Sequence, residues 1–195
     1  MNQKNNIFEH ILYEINMYLF TYDLFLTRFY EPEGDSDYLI VRNTILEAQF
    51  VHMRNVTDFF LNKASFSDDI VLDTVLEKSV SSQCQLNKAN LVLKDNNGNA
   101  LLNKNGNQIY CSEIINKSVA HLTGARFDSN MEFLQGRVIE IMIGLLFNCI
   151  KSFVDLLQTP TNVVPDYQND LTNYQSQINH LRTLTLSYFS VKFGF

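Results

Sequence analysis

Apolar residues recur at steps of three and four through the first third of the chain, which is the spacing that aligns them on one face of an α-helix. A first helix is predicted from Asn6, which suits an N-cap, to about Phe29, where Pro32 and Gly34 break the pattern. A second helix is predicted from roughly Tyr38 to Leu61. The two apolar stripes are Ile7, Ile11, Ile15, Tyr18, Tyr22, Phe25 and Phe29, and Leu39, Leu46, Phe50, Met53, Thr57 and Phe60. A connection this short makes the two helices antiparallel neighbours.

Four more helices are predicted in the rest of the chain. They are a short helix over Ile70–Val80, a helix capped by Ser112 that ends near Gly124, a long helix from Ser129 to about Leu157, and a last helix opened by Asp166. The long helix is apolar almost all round, which favours a central position in the fold. Gly136 and Gly144 on that helix are expected to let a neighbouring helix approach closely.

The segment from Leu91 to Tyr110 has a different pattern. Short apolar runs alternate there with Asp95-Asn96-Asn97-Gly98 and Asn103-Lys104-Asn105-Gly106. Asn-Gly between apolar runs is the strongest short-range signal for a hairpin. A small β-hairpin inserted between helices is therefore predicted around residues 91–110. The turns do not match a calcium loop, since an EF-hand needs Gly at its sixth position and an acid at its twelfth.

Together these elements predict an all-α fold, an up-down bundle of five to six helices with the hairpin as an insertion. Hydrophobic residues make up 46% of the chain, which is ample for a core, and Gly and Pro are few. No internal repeat, linker or low-complexity tract is evident. We therefore expect residues 1–195 to form a single helical domain.

The charge and the cysteines limit the partners and the location of the protein. The formal net charge is −6, so RNA would be repelled at long range and any RNA contact needs a local basic site. Cys84, Cys111 and Cys149 are odd in number and widely spaced, which fits reduced thiols. The polar N-terminus lacks the features of a signal peptide, and Val138–Ile150 is too short and too polar to span a bilayer. A cytoplasmic location without membrane contact is expected.

Polar and titratable side chains crowd one stretch of the second helix. At 100° per residue, Glu47, Arg54 and Asp58 lie within about 40° of one another, so Arg54 can reach an acid in either direction. His52 points about 140° away from Glu47 and stacks with Asn55 at i+3. The stretch fits an acid–Arg–acid ladder on a solvated face with His52 hydrogen-bonded in the core. It also fits one half of a chemical site.

A second polar segment follows Ser112. There Asn116 and Lys117 precede His121, and Arg126 comes shortly after. An imidazole among carboxylates and cations can work as an acid or base near neutral pH, while guanidinium and amide donors suit a phosphate. We expect a common site whose acting residues are His121, Asn116, His52, Arg54 and Arg126, supported by Glu47, Asn55, Asp58 and Lys117.

Other chemistries have weaker sequence signals. A metal site through the two histidines and nearby acids lacks an HExxH motif or paired-histidine spacing. P-loop, GxGxxG and GxSxG motifs are absent from the sequence, so no metal and no cofactor are expected. Cys111, at the start of a predicted helix, is the best placed of the cysteines for a nucleophile, and Cys149 is expected in the core.

Two motifs carry a family resemblance. They are His52-x-Arg54-Asn55-x-x-Asp58-Phe59-Phe60 and Ile115-Asn116-Lys117-x-x-Ala120-His121-Leu122-Thr123, the second followed by Arg126. Over roughly Leu46 to Arg126 the chain resembles a set of bacterial all-helical proteins without an assigned function. More distantly, it resembles the HEPN superfamily, whose members include metal-independent RNA-cleaving toxins and defence proteins. The HEPN signature is an Arg, four to six further residues and a His. The nearest match in this chain is Asn116-x4-His121, so Arg54 or Arg126 would have to supply the guanidinium.

The resemblance implies a homodimer that cleaves or processes RNA in a toxin–antitoxin or defence setting. His121 would then be the acid or base, Asn116 would orient it or the phosphate, and Arg54 and Arg126 would steady the charge, with His52 as a second proton-transfer group. The alternative hypothesis is a non-catalytic helical interaction or scaffold module that binds another protein. Its polar groups would form a network that fixes the register of the helices.

Overall fold

The computed structural model describes residues 7–29, 34–62, 64, 69–95, 97–120 and 129–194, apart from the side chains of residues 117, 119–120, 129–133 and 193. The α-helices are α1 (Ile7–Arg28), α2 (Ser36–Phe60), α3 (Leu72–Val75), α4 (Lys78–Ser81), α5 (Cys111–Ala120), α6 (Ser129–Leu156), α7 (Pro165–Leu171), α8 (Gln175–Thr183) and α9 (Phe189–Phe193). The β-structure in the described residues consists of isolated bridges and forms no sheet. The all-α prediction is therefore confirmed.

The long helices begin and end close to the predicted positions. The stripe predicted for α1 is buried from Ile7 to Phe25, because each of its members falls on one face of the helix. In α2, the stripe is buried from Phe50 onward, but Leu39 and Leu46 are only half-buried. No helix among the described residues has both the length and the apolar character that crossing a bilayer requires.

The predicted hairpin around residues 91–110 is not formed as a pair of strands. The segment makes three separate antiparallel bridges, Val92 with Tyr110, Lys94 with Ala100 and Leu102 with Gln108. Its backbone instead closes a ring of three hydrogen bonds. The Leu93 amide donates to the Ile109 carbonyl, Leu101 to Leu93, and Ile109 to Leu101, at 2.8–2.9 Å. Leu93, Leu101 and Ile109 each donate to one member of the ring and accept from the other, so the three residues do not pair as two strands of a ladder.

Two tight turns of the same construction connect the members of the ring. In the first, the Gly98 amide donates to the Asp95 carbonyl at 3.1 Å, and in the second Gly106 donates to Asn103 at 2.9 Å. Both glycines have a positive φ, 83° and 79°, which is the left-handed region that glycine adopts without cost. The turns follow a repeat of eight residues, Leu93–Ala100 and Leu101–Gln108, in which Leu, Asx, Asn, Gly and Asn recur in register. The prediction that the chain contains no internal repeat was therefore wrong for this segment.

Two predicted helices are interrupted. The helix predicted over Ile70–Val80 is two single turns, α3 and α4, because Leu76 between them forms an antiparallel bridge with Val163. The last helix begins at Pro165, one residue before the predicted Asp166, and contains a 3₁₀ turn at Thr172–Tyr174 and a π-helical turn at Leu184–Tyr188. As a result, the described residues contain more helical elements than the five to six predicted.

Contacts divide the chain into two compact units. Unit 1 comprises Met1–Asn16, Val56–Asn87 and Ile143–Phe195, and unit 2 comprises Met17–Asn55 and Lys88–Met142. Residues of α1, α2 and α6 occur in both units.

Each unit has its own buried apolar residues. In unit 1, the rings of Phe59, Phe60 and Phe153 pack edge to face, with centroids between 5.1 and 5.9 Å apart. The buried residues of unit 2 include Tyr18, Leu19, Phe50, Met53, Leu91, Leu93, Cys111, Ile114, Val138 and Met142. A Cβ built at Gly136 in unit 2 meets no atom within 4 Å among the residues that the structure describes, so the predicted close approach is not found there.

Candidate functional site

The five polar residues predicted on α2 lie on its outer side or at its margin. Arg54, Asn55 and Asp58 are exposed, and Glu47 and His52 are half-buried. Each of the five takes part in a hydrogen bond, ion pair, ring contact or electrostatic interaction. The inner face of the same stretch is apolar, apart from Gln49 and Thr57. The polar stretch therefore belongs to the surface of α2, and His52 lies between that surface and the core.

The second predicted segment is described only in part. Asn116 is exposed on α5, and Lys117 belongs to the same helix. His121 and Arg126 lie outside the described residues. The expected meeting of His121 with His52, Arg54 and Asn116 therefore stays a prediction.

Beside these polar residues, α2 presents an apolar outer surface. None of residues 36–48 is buried, although Leu39, Ile40, Val41, Ile45 and Leu46 are among them. Farther along the helix, residues such as Phe50, Met53 and Val56 are at most 1% exposed. A single continuous helix thus supplies core from its second half, whereas its first half is at most half-buried.

Several of the exposed residues of α2 lie along one side of the helix. Ile40 is 64% exposed and Val51 is 40% exposed, and Thr44 lies between them on the same side. The Thr44 hydroxyl donates to the Ile40 carbonyl at 2.9 Å. Asp37 lies at one end of this stripe and Arg54 at the other, both exposed. We call the surface of Asp37, Ile40, Thr44, Glu47, Val51 and Arg54 the outer stripe of α2.

A buried polar cluster in unit 2 was not predicted. The Thr21 hydroxyl on α1 contacts the Gln49 side-chain carbonyl on α2, and Gln49 is 0% exposed. Among the described residues, no hydrogen-bond partner reaches the Gln49 amide nitrogen or the Tyr18 hydroxyl. Burial raises the pKa of Tyr18 well above its usual value, and it raises the pKa of Tyr22 to about 12 with a smaller contribution from Glu140. The cluster is therefore neutral at physiological pH. A glutamine beside the core positions Phe50 and Met53 was the available sequence signal.

The cysteines are not activated as nucleophiles. All three are free and buried, and burial raises the pKa of Cys84 and of Cys111 to about 12 and that of Cys149 to about 11. Because the thiolate is the reactive form, thiols with such pKa values are inert near neutral pH. Cys111 is therefore a core residue of unit 2, and the nucleophile role considered for it is not supported by its surroundings.

The two turns of the repeat are stabilised by side-chain oxygens. The Asp95 Oδ1 accepts from the backbone amides of Asn97 and Asn99, each at 2.8 Å, and the Asn103 Oδ1 accepts from Asn105 and Asn107 at 2.9 and 3.1 Å. Chiefly the Asn99 amide lowers the pKa of Asp95. These oxygens are used by the turns themselves. Among the described residues, no three His, Cys, Asp or Glu side chains gather as they would around a metal ion.

The same segment carries positive charge. Lys88, Lys94 and Lys104 are exposed, and the Lys88 ammonium lies 5.2 Å from the centre of the Tyr110 ring. Arg137 donates to the Lys94 carbonyl at 3.4 Å. With a single aspartate among residues 88–110, this part of unit 2 is basic in an otherwise acidic chain.

No protein-family model, no curated protein and no solved structure matches this chain.

Proposed function

We propose that this protein is a non-catalytic helical interaction module whose docking surface is the outer stripe of α2. The observation that supports the proposal is the contrast within α2. One face of its second half is buried as core, while none of residues 36–48 is buried and the apolar side chains of Ile40 and Val41 are exposed. Contiguous exposed apolar surface with a polar margin is typical of protein-binding sites. An up-down packing of the helices and a cytoplasmic location belong to this proposal.

The polar residues of α2 have a role in this proposal. Arg54, Asn55 and Asp58 surround the Val51 end of the stripe and would form the hydrated rim of an interface. Fully burying a Val or Ile side chain contributes about 1.5–3 kcal/mol, so covering the exposed parts of Ile40 and Val51 contributes roughly 1 kcal/mol each. Such a surface supports a moderate affinity, which the charged rim makes specific.

Site-specific photo-crosslinking in cells tests the proposal. A photoreactive amino acid at Ile40 should give a protein adduct on irradiation. The same amino acid at Val191, an 85% exposed apolar position in unit 1, is the matched control and should give none. No adduct at Ile40, or equal adducts at both positions, would reject the docking surface. The mass of the adduct gives the mass of the partner.

A second candidate function is RNA cleavage or processing of the HEPN type. It is favoured by the exposure of Arg54, Asn55 and Asn116 in unit 2, which also carries the exposed lysines at positions 88, 94 and 104. Guanidinium, amide and ammonium groups are the donors that bind phosphate. In this proposal His121 is the acid or base, Arg54 and Arg126 stabilise charge, and the active form is a homodimer.

Expression of the wild type and of His121→Ala, with growth and bulk RNA integrity as readouts, tests the second candidate. The nuclease proposal expects growth arrest and RNA degradation with the wild type and neither with His121→Ala. His180→Ala, which removes an exposed histidine on α8, is the control and should behave as the wild type. Identical RNA profiles for the wild type and His121→Ala would exclude cleavage by that residue.

A further inference from the structure

Each of the two turns of the repeat contains an Asn-Gly pair, Asn97-Gly98 in the first and Asn105-Gly106 in the second. Asparagine is among the chemically labile residues of proteins. It is most labile before glycine, because glycine has no Cβ that would hinder attack by its backbone nitrogen. Both residues of each pair are exposed, so solvent reaches the two sites. Each pair can therefore lose ammonia in a reaction that needs no enzyme.

In this reaction the deprotonated glycine nitrogen attacks the asparagine Cγ. A bond forms between that nitrogen and Cγ, the bond from Cγ to Nδ2 breaks, and the leaving group takes a proton from water and departs as ammonia. Water then hydrolyses the cyclic imide at either of its carbonyl carbons, which gives aspartate or isoaspartate. Loss of the glycine proton leaves a negative charge on the nitrogen, so a negative group nearby slows the reaction.

The two turns have the same backbone hydrogen bonds but differ in charge. The glycine amide donates to the carbonyl three residues earlier in both, at 3.1 Å from Gly98 and at 2.9 Å from Gly106. The first turn is built on Asp95, whereas the second is built on Asn103, which is neutral. The backbone amide of Asn99 chiefly, and that of Gly98 in part, lower the pKa of Asp95. The Asp95 carboxylate is therefore ionised near neutral pH and lies close to the Gly98 nitrogen.

We propose that Asn105 is a site of spontaneous deamidation in the folded protein, and that the Asp95 carboxylate protects Asn97 from the same reaction. Loss of the proton from the glycine of the first turn would place a second negative charge beside Asp95. The second turn, residues 103–107, contains no acid, and its exposed Lys104 favours loss of the glycine proton. This inference goes beyond the two functions proposed above and depends on neither.

Deamidation changes the surface that carries the exposed lysines. A carboxylate at position 105 lies next to Lys104 in the sequence, so the basic segment loses part of its positive charge. Isoaspartate also lengthens the main chain by one carbon atom within the turn that the Gly106 amide closes. The second turn is therefore expected to loosen as the modification proceeds.

Exchanging the residues on which the two turns are built tests the proposal. The folded protein is incubated at mildly alkaline pH, and deamidation at each site is followed by peptide mapping with mass spectrometry, with isoaspartate detected by enzymatic methylation. Asn105 should react about threefold or more faster than Asn97, which is the factor that a unit charge a few ångström away imposes on an exposed group. Asp95→Asn should raise the rate at Asn97 by the same factor, and Asn103→Asp should lower the rate at Asn105.

The controls separate the effect of charge from that of the turn. Each substitution copies the residue of the other turn, so an oxygen that accepts the hydrogen bonds of the turn is kept in both variants. Added salt should reduce the difference between the two sites, because it screens the carboxylate. In denaturant both pairs should react, which shows that the chemistry is detected. Equal rates at the two sites of the folded protein, a faster rate at Asn97, or no effect of Asp95→Asn would overturn the proposal. It would also be overturned if Asn105 reacted in denaturant but not in the folded protein.

Discussion

Thr21 and Gln49 are two buried polar side chains of unit 2 that contact each other. The Thr21 hydroxyl has one proton, yet it lies within reach of the carbonyls of Met17, at 2.7 Å, and of Gln49. The hydroxyl can therefore turn to Met17 when Gln49 is replaced, whereas the Gln49 carbonyl depends on Thr21 and the Gln49 nitrogen has no hydrogen-bond partner among the described residues.

Replacing Thr21 and replacing Gln49 should have unequal effects on the free energy of unfolding. Thr21→Val removes the partner of the fully buried Gln49 amide and should lower the free energy of unfolding by about 1–3 kcal/mol. Gln49→Met removes the amide but leaves the Thr21 hydroxyl its Met17 carbonyl, so its cost should stay below about 1.5 kcal/mol. The double variant should be more stable than Thr21→Val alone. Urea unfolding of all four proteins measures the coupling. A larger loss for Gln49→Met than for Thr21→Val would mean that the amide has another partner.

Asp73 in unit 1 gives stability a dependence on pH. The Ser81 hydroxyl donates to Asp73 at 2.6 Å, and this hydrogen bond is the main reason why the pKa of Asp73 lies below its usual 3.8. A carboxyl whose pKa is lowered by folding stabilises the folded state above the unfolded pKa, and the contribution is lost as the pH falls through the folded pKa.

Asp73→Asn is therefore expected to destabilise the protein near neutral pH and to have little effect in acid. Because Asp73 is partly exposed, the loss at pH 7 should be about 0.5–1 kcal/mol. The difference from the wild type should disappear once the pH is well below 3.8. Thermal unfolding across this range measures it. Ser81→Ala should flatten the same pH dependence, and a difference that persists unchanged in acid would exclude the carboxylate as its cause.

At the scale of an element, the repeat of residues 93–108 depends on its glycines. Gly98 and Gly106 have positive φ values, and a Cβ at either position would meet no atom of the described part of the chain within 4 Å. The cost of a side chain there is therefore backbone strain alone. Gly98→Ala and Gly106→Ala should each cost about 1–2 kcal/mol, and Gly98→Asn should cost less, since Asn tolerates the left-handed region.

Gly136→Ala is the matched control for these substitutions. It also adds a methyl group in open space, but within the regular helix α6, where Ala is favoured over Gly by about 0.5–1 kcal/mol. Gly98→Ala, Gly106→Ala and Gly98→Asn should therefore lower the free energy of unfolding, whereas Gly136→Ala should raise it. Destabilisation by Gly136→Ala would mean that this surface of α6 is covered in solution.

Some elements could be predicted from the local sequence and others could not. The bounds of α1, α2 and α6 follow from local periodicity and capping residues, which are properties of the sequence itself. By contrast, α3 and α4 are separated because Leu76 pairs with Val163, almost ninety residues away, and no local pattern contains that contact. The turns of the repeat were identified through Asn-Gly, but their pairing was not. Three equivalent segments closed a ring where two would have formed a hairpin.

For the candidate site, the sequence predicted helix α2 but not which of its apolar residues are covered. Because residues 36–60 are helical, Glu47, Arg54 and Asp58 have the angular positions that helix geometry gives them, and Arg54 and Asp58 are exposed. The periodicity of α2 assigned Leu39 and Leu46 to a buried stripe that, in the structure, is only half-covered there. Whether an apolar position has a neighbour depends on where the other elements end, which periodicity alone does not contain.

At the scale of the whole molecule, the cysteines can report how the fold opens. Cys84 and Cys149 belong to unit 1 and Cys111 to unit 2, and all three are buried with raised pKa values. Alkylation at mildly alkaline pH requires both exposure and a thiolate, so each thiol reacts only when its own surroundings open. Labelling of the native protein should be at least about 100-fold slower than labelling in denaturant.

Variants that retain a single cysteine measure the opening of each unit separately. Cys84 and Cys149 should be labelled at similar rates in the native protein, because the same unit must open to expose either one. The rate at Cys111, measured in parallel and followed through increasing urea, then gives the opening free energy of unit 2 separately. Equal slopes against urea for all three sites mean that one event exposes them, and a shallower slope at Cys111 means a smaller, local opening. Fast labelling of Cys111 in native conditions would contradict its burial and would reopen its role as a nucleophile.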